Sequence, residues 1–142
     1  MRHLDLQVVP EEYAIYRFAP DDPVPPWART GRFWAVVSTP TEVSVLCEAA
    51  ASRTAERVER GWRLIAVLGS FAFTATGVLA SVLGPLAEAR MSILALSTFD
   101  TDYVLVKAEN LPRAVDVLRA CGHRVSVSGN ILSRYRRPQN QL

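Results

Sequence analysis

Histidine and cysteine, on which much metal and nucleophile chemistry rests, are scarce here: the 142 residues hold two of each. Cys47 and Cys121 are too few for a disulfide framework and lack a C-x-x-C spacing. Their apolar neighbours predict free, buried thiols in a reducing, cytoplasmic setting. His3 and His123 stand apart from each other and from the cysteines, which argues against a metal site. No residue set completes a nucleophile and its base, so neither catalysis nor a cofactor is expected. Charge of one sign is lacking too. The net charge is +2, which gives no ground for a nucleic-acid partner. The excess sits in the last fifteen residues, 128–142, where Arg134, Arg136 and Arg137 meet no acid. That tail reads as a solvated terminus.

A bilayer-spanning segment is also missing. Leu64 to Ala87 is 24 residues without a charge, long enough to cross a membrane. Gly69, Gly77, Gly84 and Pro85 interrupt it, and polar residues gather at Thr74 to Gly77. A strand, a loop and a helix account for it better. No leader is expected either, since Asp5 and Glu11-Glu12 break the first apolar stretch.

What is present is an apolar fraction of 49% beside 21% charged residues. At this length, folding buries about two thirds of the chain's surface, enough for a core without staples. Leu4 to Val9 and Tyr13 to Phe18 alternate as two strands, separated by a break at Pro10 and Glu11. Pro20 to Pro26, with four prolines, is irregular. Phe33 to Ser38 and Val43 to Cys47 flank Thr39-Pro40-Thr41 as a hairpin, and Ala49 to Glu59 fits a loop or a short helix. Trp62 to Leu68 is a strand with both faces apolar. Thr76 is the expected N-cap of a helix reaching about Arg90, in which Pro85 is awkward. Met91 to Thr98 reads as a central strand and Tyr103 to Lys107 as its neighbour. Asn110 starts a second helix with Pro112 in its first turn, Gly122 ends it, and Arg124 to Val127 closes the chain's regular structure. From Trp62 the order is β-α-β-β-α-β, the ferredoxin-like plan of an α+β fold.

Two segments could hold a ligand. Phe73 to Val78 begins a helix, where free amides and a glycine suit an anion such as an α-carboxylate. Ser97 to Asp102 carries two carboxylates and three hydroxyls, which suit an ammonium or guanidinium group. Each also reads as ordinary punctuation, a capped helix start and a β-turn. In a ferredoxin-like unit the two segments are neighbours, and an amino acid carries both charges.

The runs Gly77 to Ala89, Ser92-Ile93 and Leu96 to Val106 resemble the ACT domain. With Val9 to Ala14 and Ser38 to Cys47, the chain is similar to small bacterial tandem-ACT proteins related to the cytosolic arginine sensors. The resemblance implies a ferredoxin-like βαββαβ ACT fold with two ACT-type units packed together, the N-terminal one reduced. The units would be residues 1–59 and 60–127, followed by a basic tail, 128–142. It implies an amino-acid pocket walled by Thr74, Ala75, Thr76, Gly77, Val78, Ser92, Ile93, Thr98, Phe99, Asp100 and Asp102. Gly77 would allow close approach and Asp102 would supply the acidic contact. It further implies a regulatory sensor without catalysis, a homodimer, and an unidentified protein partner that reads the ligand. The arginine sensors are acidic just before the loop glycine, whereas Thr74 and Ala75 are uncharged here. Arginine is therefore disfavoured, and a neutral amino acid, or a ligand-free interaction module, stays open.

Overall fold

The computed structural model describes residues 3–50, 53–72 and 74–127. The tail 128–142 lies outside them. Among the described residues seven strands form one sheet: β1 (Asp5–Phe18), β2 (Ala35–Ser38), β3 (Val43–Glu48), β4 (Arg57–Val67), β5 (Ile93–Ser97), β6 (Asp102–Lys107) and β7 (Arg124–Ser126). The helices are α1 (Val78–Glu88) and α2 (Leu111–Ala120). The strand order is β2-β3-β1-β4-β6-β5, and β7 adds to β1 in parallel.

The two strands expected at the N-terminus are one. β1 runs 14 residues through Pro10 without a turn. Its pairing with β4 shifts register between Val8 and Glu12, a bulge around Pro10. On its other side β1 pairs with β7 at Asp5 to Gln7 and with β3 at Tyr13 to Phe18. Pro10 falls between these two partners, where its missing N–H removes no ladder bond. The β2–β3 hairpin forms as the sequence predicts. Among the described residues of 49–56 there is neither helix nor strand, and Arg57 to Glu59 belong to β4. The expected boundary after residue 59 therefore falls inside a strand.

β5 is an edge strand, not a central one. Its apolar residues split between the faces: Ile93 packs under the helices, Leu94 and Leu96 on the opposite side. Half-burial from one ladder partner thus produced an unbroken apolar run, which reads in sequence like a fully buried strand.

β4 alternates as predicted. Ile65 and Val67 meet Leu6, Val8, Val104, Val106 and the apolar stripes of both helices, including Val82, Leu86, Ala114 and Leu118. Trp62, Leu64 and Ala66 join Val9, Tyr13, Leu46 and Leu105 on the reverse face. A third cluster gathers Ala14, Tyr16, Val43, Val45 and Cys47 beneath the 3-10 turn Pro26–Arg29, whose Trp27 ring meets Tyr16 at 4.9 Å. Cys47 is buried, and burial pushes its thiol up; Cys121 is partly exposed, and both are free.

α1 begins one residue beyond the expected cap, and α2 begins after Asn110 as expected. Gly77, not Thr76, is the N-cap of α1, in the left-handed region at φ 76°, with no side-chain cap. Asn110 does precede α2, yet its side chain makes no capping bond. α1 ends at Glu88, two residues short of the expectation. Pro85 lies within it and leaves the Ser81 carbonyl without its helical donor. No helix among the described residues is long and apolar enough to cross a membrane.

Candidate functional site

The β5–β6 turn is fastened to the end of β4 and the first part of the β4–α1 loop. The Phe71 N–H donates to the Asp100 carbonyl at 2.9 Å, and the Thr101 hydroxyl donates to the Val67 carbonyl at 2.6 Å. These two bonds fasten the turn to the end of β4, just before the loop that delivers Gly77. The turn is tight: Thr98 N–H and Oγ1 both donate to the Thr101 carbonyl, at 2.8 and 3.1 Å. Its threonines are thus spent on turn geometry, the role such residues often play.

Asp102 is partly buried, and its Oδ1 accepts from the Ser97 hydroxyl at 2.6 Å. One carboxylate lone pair is used; the others can still meet a cation. Asp100 and Thr98 are exposed, and so is Phe99, at 78%. Tyr103 faces the reverse side of the sheet, and burial, with Asp100 adding, holds its phenol above the ordinary range.

On the loop, Thr74, Thr76 and Gly77 are exposed, while Ala75 packs on the helix-side core and Val78 is buried in it. A Cβ on Gly77 would meet nothing within 4 Å, so the space above this glycine is open. The first amides of α1 point outward here with the positive end of the helix dipole.

An open groove of about 670 Å³ starts at Thr76 and Gly77 and runs along α1 past Ala80, Ser81, Gly84 and Pro85 to Glu88 and Cys121. Small side chains at helical spacing produce it. The sequence reading missed these further residues, although Gly77, Ala80, Gly84 and Glu88 recur on one helix face. The groove's lining does not include Thr98, Phe99, Asp100 or Asp102.

Ser92 and Ile93 do not join the others. Ile93 pairs with Val106 at the start of β5, whereas Ser97 pairs with Asp102 at its end. Four strand rises, about 13 Å, separate the two ends. Within one chain the expected wall is therefore divided. Among the described residues no cluster of three His, Cys, Asp or Glu side chains could hold a metal.

A family model described as the ACT domain matches residues 57–120. A second model, for an N-terminal domain, matches residues 11–51. No curated protein matches the chain in sequence. Among solved structures, protein Atu0741 of Agrobacterium tumefaciens is 31% identical over 92% of this chain and 97% of its own, with a TM-score of 0.83. The α and β subunits of an aspartokinase are similar at 16% identity over 84% of this chain and 98% of theirs, TM-score 0.59. Aspartokinase III of E. coli, solved with aspartate and ADP, matches at 13% identity over 82% of this chain and 32% of its own, TM-score 0.57. These two likenesses are of fold alone.

Proposed function

The chain belongs to the family of the Agrobacterium tumefaciens protein Atu0741 and carries an ACT domain at residues 57–120, and from that premise we propose that it is a regulatory protein that binds an amino acid or similar small molecule. It catalyses no reaction and works in the cytoplasm, where Cys47 and Cys121 stay reduced. The observation that supports this reading is the fastening of the Ser97–Asp102 turn to the end of β4, through the Phe71–Asp100 and Thr101–Val67 bonds, a few residues before the open, left-handed Gly77 that starts α1. Amides on one side and carboxylates on the other suit a zwitterion. The aspartate in the E. coli aspartokinase structure is a ligand of that class, bound to a protein of similar fold.

The strand order supports a two-unit reading. β2-β3-β1-β4 places a hairpin beside the first strand and the last strand on its other side. β5-β6-β4 begins the same pattern again. β4 then closes the first unit and opens the second. The 3-10 turn Pro26–Arg29 stands where the reduced unit would carry its first helix.

The divided pocket supports a homodimer. Two β5 edges pairing antiparallel would bring Ser92 and Ile93 of one copy to the Ser97–Asp102 turn of the other. The ligand would then bind across two chains and change what they present to a protein partner.

The deciding test is a thermal-shift screen against the twenty amino acids, repeated on Asp102→Ala. A ligand at 100 times its Kd adds about 2.7 kcal/mol of stability. A shift with one or a few amino acids, lost in the variant, is the expected result. No shift at millimolar concentrations would overturn the sensor and favour an interaction module whose turn residues serve only the fold.

A further inference from the structure

Pro85 has no N–H, so the Ser81 carbonyl one turn earlier cannot complete its helical bond. The carbonyl is not left unpaired. His123, 3% exposed at the junction of α2 and β7, brings Nε2 to the Ser81 oxygen at 2.9 Å. A carbonyl only accepts, so Nε2 carries the proton. The other ring nitrogen, Nδ1, accepts the N–H of Leu4 at 3.1 Å. One buried imidazole thus joins the early part of α1 to the residue that leads into β1. The same junction is closed by the Arg124 N–H on the Leu4 carbonyl at 2.9 Å.

Ser81 is one turn from the ligand-facing end of the helix. Its own N–H donates to the Gly77 carbonyl at 3.0 Å, and its hydroxyl donates to the Val78 carbonyl at 2.7 Å. The chain of bonds therefore runs Gly77, Ser81, His123, Leu4 without a gap. In a helix without the proline, the N–H at position 85 would take one of the two lone pairs of the Ser81 carbonyl and compete with the imidazole for it.

We infer that Pro85 and His123 work as a pair: the proline vacates the Ser81 carbonyl so that the imidazole can clamp the Gly77 end of α1 to β1. His123 is a positioning residue for the Gly77 loop, and the clamp is the route by which loop occupancy reaches the N-terminal strand. The second clause rests on the amino-acid-binding reading; the clamp itself does not.

The test uses the intact chain and three variants. His123→Asn keeps an acceptor near the Leu4 N–H but is too short to reach Ser81. His123→Gln carries an amide donor at about the reach of Nε2. Pro85→Ala returns a backbone donor to Ser81. Amide hydrogen exchange is read residue by residue. In His123→Asn, exchange at residues 81–84, the first hydrogen-bonded amides of α1, rises about tenfold while β6 and the middle of α2 hold. Adding Pro85→Ala brings residues 81–84 back toward the wild-type rate. A uniform rise across all protected amides, or no recovery in the double variant, overturns the clamp. If His123→Asn does not fold, His123→Gln with and without Pro85→Ala gives the same comparison.

The twenty amino acids at millimolar concentration, read by calorimetry, supply the second arm. One that binds the wild type should bind His123→Asn at least about fivefold more weakly, a coupling of ordinary size, and recover in the double variant. Equal affinity in all three overturns the coupling. If none binds the wild type, the sensor reading fails, and the exchange pattern still decides the clamp.

Discussion

Tyr13 and Gly77 show how single residues can be set against their own preferences. Tyr13 is fully buried, yet its hydroxyl has no partner, as is also true of the buried Trp62 indole N–H. Burial, with Glu11 and Glu48 adding, pushes the phenol well above its ordinary 10.0. The sign follows from linkage: the unfolded chain ionises first, so stability is intact below about pH 10 and falls as pH rises above it. Tyr13→Phe removes the unpartnered group and should raise stability by about 1 kcal/mol at neutral pH. It should also move the alkaline transition upward, as urea melts at pH 7 and above pH 10 would show. An unchanged alkaline limb would assign that loss to other groups. Gly77→Ala meets no steric neighbour, so its penalty is backbone strain alone, about 1–2 kcal/mol. Denaturant unfolding measures it, and a drop beyond that range would mean the loop packs more tightly than described. The sequence marked Gly77 as the loop glycine but placed the cap at Thr76, because side-chain chemistry suggests a cap and does not report φ. His123 was legible only as an isolated histidine. Its partners are both main-chain atoms distant in sequence, and no spacing rule announces such bonds.

At the level of elements, alternation in Trp62 to Val67 named both buried faces correctly, since each face meets a dense core. Pro10 misled for a physical reason. A proline breaks a strand only where its N–H is needed, and that depends on partners more than thirty residues away. β5 misled likewise, because apolar residues on both faces suit an edge strand when one neighbour and one helix layer cover part of each. That edge carries a prediction. Ala95 is exposed and central in β5. In an antiparallel pair of β5 strands about a two-fold axis, it faces its own counterpart. Ala95→Lys would set two ammonium groups opposite each other, a repulsive cross-strand pair. The expected outcome is a dimer for the wild type and a monomer for the variant in sedimentation, with the fold retained. A dimer that ignores the substitution would place the interface elsewhere.

For the whole molecule, the ferredoxin-like order of residues 60–127 was legible from periodicity, while the position of β1 was not. β1 lies between β4 and β7, and Leu4, Leu6 and Val8 complete the core under both helices. Residues 60–127 expressed alone should therefore fail to fold cooperatively, by circular dichroism and by the absence of a sigmoidal melt. A cooperative melt from that fragment would show that the last strand can close directly on β4.

The parallel pairing of Asp5 to Gln7 with Arg124 to Ser126 has a consequence for synthesis. β1 precedes every other described strand in the chain and is yet among the last of them completed. Its early residues emerge with neither β4 nor β7 available, and the contacts that close them span almost the entire chain. Loop closure over such distances is slow, and an unpaired strand edge invites the wrong partner in the meantime. On the ribosome Asp5 to Gln7 thus wait until Arg124 to Ser126 have been made. The proline bulge in its middle leaves a flat, sticky edge no chance to run its full length during that wait.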